Sequence, residues 1–395
     1  MKTEKKNMFI TWLLSQQVVM GFASQVTTVF ASSIVNIFNL TKTELGMINT
    51  INFILMIVVP LIVGRLADTM SKKKILITGI FIQYLGTVLI SFSPNVILYI
   101  AGFIVRGTGS AIGQVTNTSA IVDTYPDKAT RYYSYMQSFG CAAGILAPIV
   151  LAYFSKSFGI DWRLLMFIFS TLSMLPAIGL FSSDIKNPVR KEGSENTAKK
   201  AGYAEAFKML TLPLLFTILT LVFFCAMDNP YMGFMELFFT EGMGSDLGAI
   251  AITVHSIGYA VSRFLAGYIT ERTEKASMIV CSVMSVLALI ATGFVKSDVM
   301  AVVLIGVISF FAGPIYPIAV MRATRDNPEN TATAVSLMTV GNGIGGATGN
   351  LLTGAVSDNF GIQPAFGLLS VFSAICLVMY FCIDAAQKRK KAKQA

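Results

Sequence analysis

The chain has 395 residues, 54% of them hydrophobic and only 13% charged, with 29 Phe and 20 Met. An average soluble domain is roughly 25% charged, and a chain of this size cannot keep so much apolar surface from water, so a water-soluble enzyme is excluded and the solvent is a bilayer. The net charge of +9 comes with a single histidine, which rules out two-histidine metal sites. Five cysteines (Cys141, Cys225, Cys281, Cys376, Cys382) lie in apolar runs and never form CxxC, so neither a disulfide frame nor a zinc site is expected, and no cofactor. Lys2, Lys5 and Lys6 precede an apolar run too long and too polar for a secretory leader, so the first span is expected to be retained.

A helix crossing an approximately 30 Å hydrocarbon core needs about 20 residues. Hydropathy and helix breakers then predict twelve spans: residues 8–37, 45–66, 74–92, 95–123, 132–157, 163–182, 210–239, 246–267, 276–295, 299–322, 331–356 and 364–385. Thr41-x-x-Glu44 reads as a capping box before span 2, and Ser93-Pro94 and Pro126-Asp127 as turns. Trp12 and Trp162 fall at predicted water boundaries, where an aromatic belt is expected. With the N-terminus inside, 25 of the 30 lysines and arginines face the cytoplasm and four face outward, leaving Arg106 within span 4. That asymmetry predicts a cell-membrane protein with both termini cytoplasmic. The basic residues flank the membrane and form no nucleic-acid module, so lipid headgroups are the expected partners of the run Lys388-Arg389-Lys390-Lys391.

The longest polar interruption is nearly central. It divides the chain into a half at 1–185, a linker at 186–209 that carries a candidate interfacial helix at 201–209, and a half at 210–395. A repeated loop supports duplication. Gly64-Arg65-Leu66-Ala67-Asp68 with Lys72-Lys73 follows span 2, and Gly267-Tyr268-Ile269-Thr270-Glu271-Arg272 with Lys275 follows span 8. Gly64 permits close helix approach, Asp68 can accept at a neighbouring helix N-terminus, and Lys72 and Lys73 face headgroups, a set that with its echo at Gly267, Glu271 and Arg272 is read as a conformational latch, ordinary positive-inside charges being the alternative.

Polar residues recur at helical spacing. Arg106, Ser110, Gln114 and Asn117 in span 4 stand at i, i+4, i+8 and i+11, as do Gln17, Gly21, Gln25 and Thr28 in span 1. Each set forms one face, and amides and hydroxyls that both donate and accept suit a polar solute; interhelical hydrogen bonding is the alternative for span 1. Arg106 sits about 16 Å deep at 1.5 Å per residue, where a charge costs about 2.5–3.5 kcal/mol and calls for a partner or a water path. Span 7 carries Asp228-Asn229-Pro230, and a proline-broken helix beside an acid marks Asp228 as the proton-carrier candidate, with His255 and Asp123 behind it; the alternative is an Asp228 at the mouth of the span, paired with a lysine or with solvent. His255 reads more simply as a packing residue, and Arg263, near the inner end of span 8, as a snorkelling side chain. Gly341-x-Gly343-x-Gly345-Gly346-x-x-Gly349 in span 11 offers a small face for close packing; with no strand before it, it is not a phosphate loop.

The stretch Gly64-x-Leu66-Ala67-Asp68-x-x-Ser71-Lys72-Lys73 resembles the signature of the major facilitator superfamily, with Ser71 where glycine is usual, and Arg106-Gly107-Thr108-Gly109 resembles its span-4 arginine motif. Gly21-Phe22, Phe38-Asn39-Leu40-Thr41, Gln114-Val115-Thr116-Asn117, Gln137 through Ala147-Pro148, Ser262-Arg263-Phe264, Pro317 and Gly345-Gly346-Ala347 with Gly354-x-x-x-Asp358 are similar to the fucose:proton symporter family. By that matching Thr28 and Gly113 replace that family's coupling acids. The resemblance implies an all-α fold of twelve transmembrane helices in two six-helix halves. It also implies a central site between spans 1, 4, 7 and 10, with Gln17, Gln25, Arg106, Gln114, Asn117, Asn229, Tyr316 and Asn342 as substrate contacts. The function expected is alternating-access, proton-coupled uptake of a sugar or other small polar solute by a monomer, without covalent chemistry. An exporter of amphipathic compounds and a non-transporting receptor or scaffold are the alternatives.

Overall fold

The computed structural model describes residues 2–40, 42–183, 185 and 210–394. The linker, its candidate helix at 201–209, Thr41 of the expected capping box and the side chains of the C-terminal basic run lie outside what is described.

The described chain is helical throughout and gives twelve spans. Span 1 is Lys2–Val29 continued by Ala31–Phe38, and spans 2 to 5 are Lys42–Thr69, Lys72–Ser91, Val96–Thr124 and Ala129–Phe158. Span 6 is Trp162–Leu172 with Met174–Ser182, span 7 is Leu212–Gly233, and spans 8 and 9 are Gly248–Ala266 and Glu271–Thr292. Span 10 is Asp298–Ala312 with Ile315–Arg325, span 11 is Thr331–Phe360 and span 12 is Ile362–Gln394. Ten of these helices are long and apolar enough to cross a membrane. Spans 1 and 11, which carry the glutamines and the glycine–asparagine run, are equally helical but more polar.

Local chemistry sets several helix starts. Asn95 accepts from Leu98 N (2.9 Å) at the start of span 4, and Asp161 accepts from Arg163 N (3.2 Å) at the start of span 6. Span 10 is interrupted at Gly313-Pro314, where both residues keep helical angles but Pro314 has no N–H to donate to the Phe310 carbonyl four residues back. Span 7 departs from expectation. Its helix runs unbroken through Asp228-Asn229-Pro230 to Gly233 and changes only beyond Phe234, where a π-turn at Phe238–Gly242 follows. Pro230 cannot donate to the Ala226 carbonyl four residues back, and that carbonyl faces Gly349 of span 11 instead.

Contacts repeat with a period of six spans. Spans 1–5, 1–6, 2–4, 3–4 and 3–6 pack together, and so do spans 7–11, 7–12, 8–10, 9–10 and 9–12. The two sets meet where span 2 lies on span 11 and span 5 on span 8. Lipid tails are as apolar as leucine, so this packing rests on close fit rather than on exclusion of water. Span 11 shows the consequence: a Cβ at Gly345 would sit 2.2 Å from Val222 O, and one at Gly349 would sit 2.2 Å from Ala226 O. Backbone cannot yield as a flexible side chain would. Gly349→Val is therefore expected to cost about 1–3 kcal/mol or more and to lower the thermal midpoint in detergent; an unchanged midpoint would contradict the contact.

The tryptophans do not form a belt. Trp162 is buried in the core of the first half, and Trp12 packs face-on against Gly179 of span 6. Both rings fill gaps between helices, a demand that outweighed their preference for the interface.

Candidate functional site

A chain of weak polar contacts crosses the middle of the bundle. Gln114 of span 4 donates from Nε2 to the Tyr316 hydroxyl of span 10 (3.4 Å), and Tyr316 also interacts with Asn342 of span 11. Asn342 Oδ1 in turn accepts from Asn229 Nδ2 of span 7 (3.4 Å), which also donates to Cys225 O (3.0 Å). Four of the eight expected contact residues are thus joined, through four helices and both halves. At 3.4 Å these bonds are long, and each amide keeps spare donor and acceptor capacity.

The neighbouring residue on span 7 points elsewhere, because consecutive helical residues lie about 100° apart. Asp228 accepts a short hydrogen bond from the Tyr259 hydroxyl of span 8. The Tyr259 ring lies under the Arg263 guanidinium, 4.5 Å from its centroid, and Arg263 Nη1 reaches Cys141 Sγ of span 5 (3.4 Å). Arg263 therefore does not snorkel to the basic end. Span 8 runs toward that end, and helical side chains tilt back toward their N-terminus, so the guanidinium lies a turn deeper than its Cα suggests. Its charge acts on Asp228, Tyr133 and Tyr316. Sequence reasoning missed Arg263, Tyr259 and Cys141 as one group; the signal available was the i, i+4 spacing of Tyr259 and Arg263.

The other expected residues occupy different surroundings. Arg106 is buried two turns from Gln114, over the Phe103 ring (4.7 Å) and near Tyr99, with Nη1 unpartnered. Asn117 is buried with Oδ1 unpartnered. Gln25 of span 1 lies beside Gly144 of span 5, Gly21 faces Ala143, and Gln17 is half-buried. Gln16, which the one-face reading passed over, is buried with both amide atoms unpartnered. His255 sits in a packed pocket: Ser309 gives its proton to Ile305 O (2.7 Å), so His255 Nδ1 donates to Ser309 Oγ (2.9 Å).

A second constellation clamps the halves at the basic end. Asp68 accepts from Ala332 N (2.9 Å), Thr333 N (2.8 Å) and Thr333 Oγ1 (2.6 Å), at the N-terminus of span 11 where unpaired N–H groups and the helix dipole favour an anion. Lys72, expected to face headgroups, is instead fully buried, because Asp123 and Thr331 hold its ammonium inside. It pairs with Asp123 of span 4, donates to Thr331 Oγ1 (2.7 Å) and lies 3.9 Å from Asp68, while Asp123 also accepts from Thr331 (2.9 Å). Gly64 lets span 2 meet span 11, since a Cβ there would lie 2.4 Å from Ser336 Cβ. Lys73 turns to the end of span 6 and donates to Ser183 O (2.8 Å).

The second loop copies this with the charges exchanged. Glu274, at the start of span 9, is buried and pairs with Arg325 (2.7 Å) and Arg322 (3.6 Å) at the end of span 10, the places held by Lys72 and Asp123 in the first half. Glu271 is exposed and pairs with Arg325 (3.6 Å), and Arg272 is exposed. Gly267 abuts Arg131 of span 5, and Tyr268 lies under the Arg131 guanidinium (5.1 Å). A cavity of about 800 Å³ opens here between the halves, lined among others by Asp123, Arg131, Tyr268, Glu271, Arg325 and Thr331.

Two pseudo-repeated six-helix halves with a polar centre and a clamp at one end define an integral membrane carrier. The chain belongs to the major facilitator superfamily, whose family description matches residues 13–252 and 229–395. Among curated proteins, it is 20% identical over 377 residues to a "Protein TsgA homolog" from Buchnera aphidicola subsp. Baizongia pistaciae, covering 94% of each chain. Among solved structures, it is similar to the E. coli fucose:proton symporter FucP, with a TM-score of 0.79 at 16% identity over 94% of this chain and 97% of that one. It is also similar to the proton:xylose symporter XylE, with a TM-score of 0.73 at 12% identity over 96% of each. These likenesses establish the twelve-helix fold.

Proposed function

We propose that this transporter takes up a small polar organic solute together with a proton, by rocking its halves, 1–185 and 210–395, about the central polar chain. The observation that carries this reading is the chain itself. Gln114, Tyr316, Asn342 and Asn229 hold one another across both halves by bonds of 3.4 Å, weak enough for a solute with hydroxyl or carbonyl groups to replace. The sugar-transporting structural neighbours agree with a polar cargo. Gln17, Gln25, Arg106 and Asn117 complete the proposed wall on the first half, and unpartnered atoms on Arg106 and Asn117 leave capacity there.

The excess of positive charge at the basic end supports a cytoplasmic orientation for it, with both termini on the cytoplasmic side of the cell membrane. Asp68, Lys72, Asp123 and Gly64 then close the cytoplasmic path, and Gly267, Glu271 and Arg272 border the matching loop. Asp228 is the proposed proton carrier. His255 is the weaker candidate because its Nδ1 proton is already engaged, and Asp123 because it is held by Lys72 and Thr331. Counterflow in proteoliposomes tests the site. Gln114→Ala and Asn342→Ala should each weaken substrate affinity by about tenfold, the loss of roughly one hydrogen bond of about 1.4 kcal/mol. Unchanged affinity in both variants would remove the central chain from the binding site.

A further inference from the structure

Arg263 is an incompletely satisfied cation at the boundary between the halves. Among the described residues it has no carboxylate within ion-pair distance; its hydrogen bond goes to a thiol, and Nε has no partner. A thiol is a weak acceptor, and a guanidinium offers five donors in a planar fork that matches a carboxylate. Asp228, the nearest candidate counter-ion, is turned to Tyr259 instead. The Arg263 charge also acts on Tyr133 and Tyr316, the latter a member of the central chain. We propose that the central site binds a small organic anion whose carboxylate pairs with Arg263 while Asp228 carries a proton beside Tyr259, so that anion and proton cross together. This rests on the uptake reading above and names its substrate class.

Charge counting around the pair gives the coupling. Empty, with Asp228 ionised and Arg263 positive, the pair is neutral; with anion and proton both bound it is neutral again. Proton alone leaves +1, and anion alone leaves −1. Occluding a net charge within the membrane is costly, so only the two neutral states pass readily between orientations. Two carboxylates beside one guanidinium also repel unless one is protonated, so anion affinity rises as pH falls. The titratable or charged groups that face Asp228 are Tyr259 and Arg263 of span 8 and Cys225 and Tyr231 of its own helix. Tyr316 of span 10 and Cys376 of span 12 stand behind Cys225, and Tyr133 and Cys141 of span 5 stand on the far side of Arg263.

The test is a thermal-shift titration of the full-length protein in detergent with matched acid and neutral compounds: glucuronate and glucose, galacturonate and galactose, lactate and 1,2-propanediol. A ligand that binds the folded state raises its midpoint. At least one acid should stabilise where its neutral partner does not, with an affinity about tenfold higher near pH ~5.5 than near pH ~8. Arg263→Gln should lose that shift, and Arg263→Lys should keep part of it. A merely structural arginine would lower the starting midpoint of both variants and leave the acid-induced shift in place. Neutral compounds stabilising as well as their acids would overturn the anion class while leaving uptake of polar solutes standing. Stabilisation by tetraphenylphosphonium alone would overturn both readings, and no shift with any acid would overturn the proposal.

Discussion

Asp228→Asn is expected to abolish accumulation of substrate against its gradient while leaving exchange across the membrane intact. Each unit of pH across the membrane is worth about 1.4 kcal/mol per proton, so a carrier coupled to one proton concentrates its substrate about tenfold. Asparagine resembles the protonated carboxyl in shape and charge and can keep a hydrogen-bond partner in Tyr259, but it has no proton to release. The carrier should then exchange substrate without concentrating it. Proteoliposomes with an imposed pH difference provide the measurement, counterflow being the control for a folded protein. Accumulation that survives the substitution would move the proton to Asp123 or His255.

The second large effect is expected at Lys72, whose ammonium is fully buried between Asp123, Thr331 and Asp68. Lys72→Met removes the cation and leaves carboxylates without it at the junction of spans 2, 3, 4 and 11. Breaking a buried pair from one side costs about 3–5 kcal/mol, whereas replacing both partners by apolar groups can be nearly neutral. Thermal unfolding should therefore show a marked loss in Lys72→Met and recovery of most of it in Lys72→Met with Asp123→Leu. Additive losses would mean that the two residues are not coupled.

Much of the architecture was legible because a bilayer demands about 20 apolar residues per helix, so all twelve spans could be read from hydropathy and breakers. The loop after span 2 was legible at Gly64 and Asp68, which each have one chemical use there, but not at Lys72, which was expected at the headgroups and is buried against Asp123. The matching loop was harder: Glu271 aligned with Asp68 by spacing, whereas the structure buries Glu274, since the partner arginines come from span 10, about 50 positions away in sequence. Gln114 and Asn229 could be nominated singly from polarity within apolar runs, and Tyr316 and Asn342 from the family resemblance. Their joining could not, because each bond runs between helices. Arg263 shows the same limit at one residue: its Cα lies near a helix end, but side-chain tilt and the Tyr259 ring carry its charge inward. Pro230 shows it for the backbone, where Gly349 accommodates the carbonyl that proline leaves unpaired and the helix continues.

Alternating access is the central claim, and cysteines introduced at Arg131 and Tyr268, neighbours across the span 5–span 8 contact at the basic end, test it most directly. In proteoliposomes a short bifunctional crosslinker should join them when that end is closed and thereby stop transport. Crosslinking should fall when saturating substrate on the cytoplasmic side holds that end open, with the single-cysteine variants as controls. Equal crosslinking in both conditions, or transport that continues through the crosslinked protein, would contradict halves that rock.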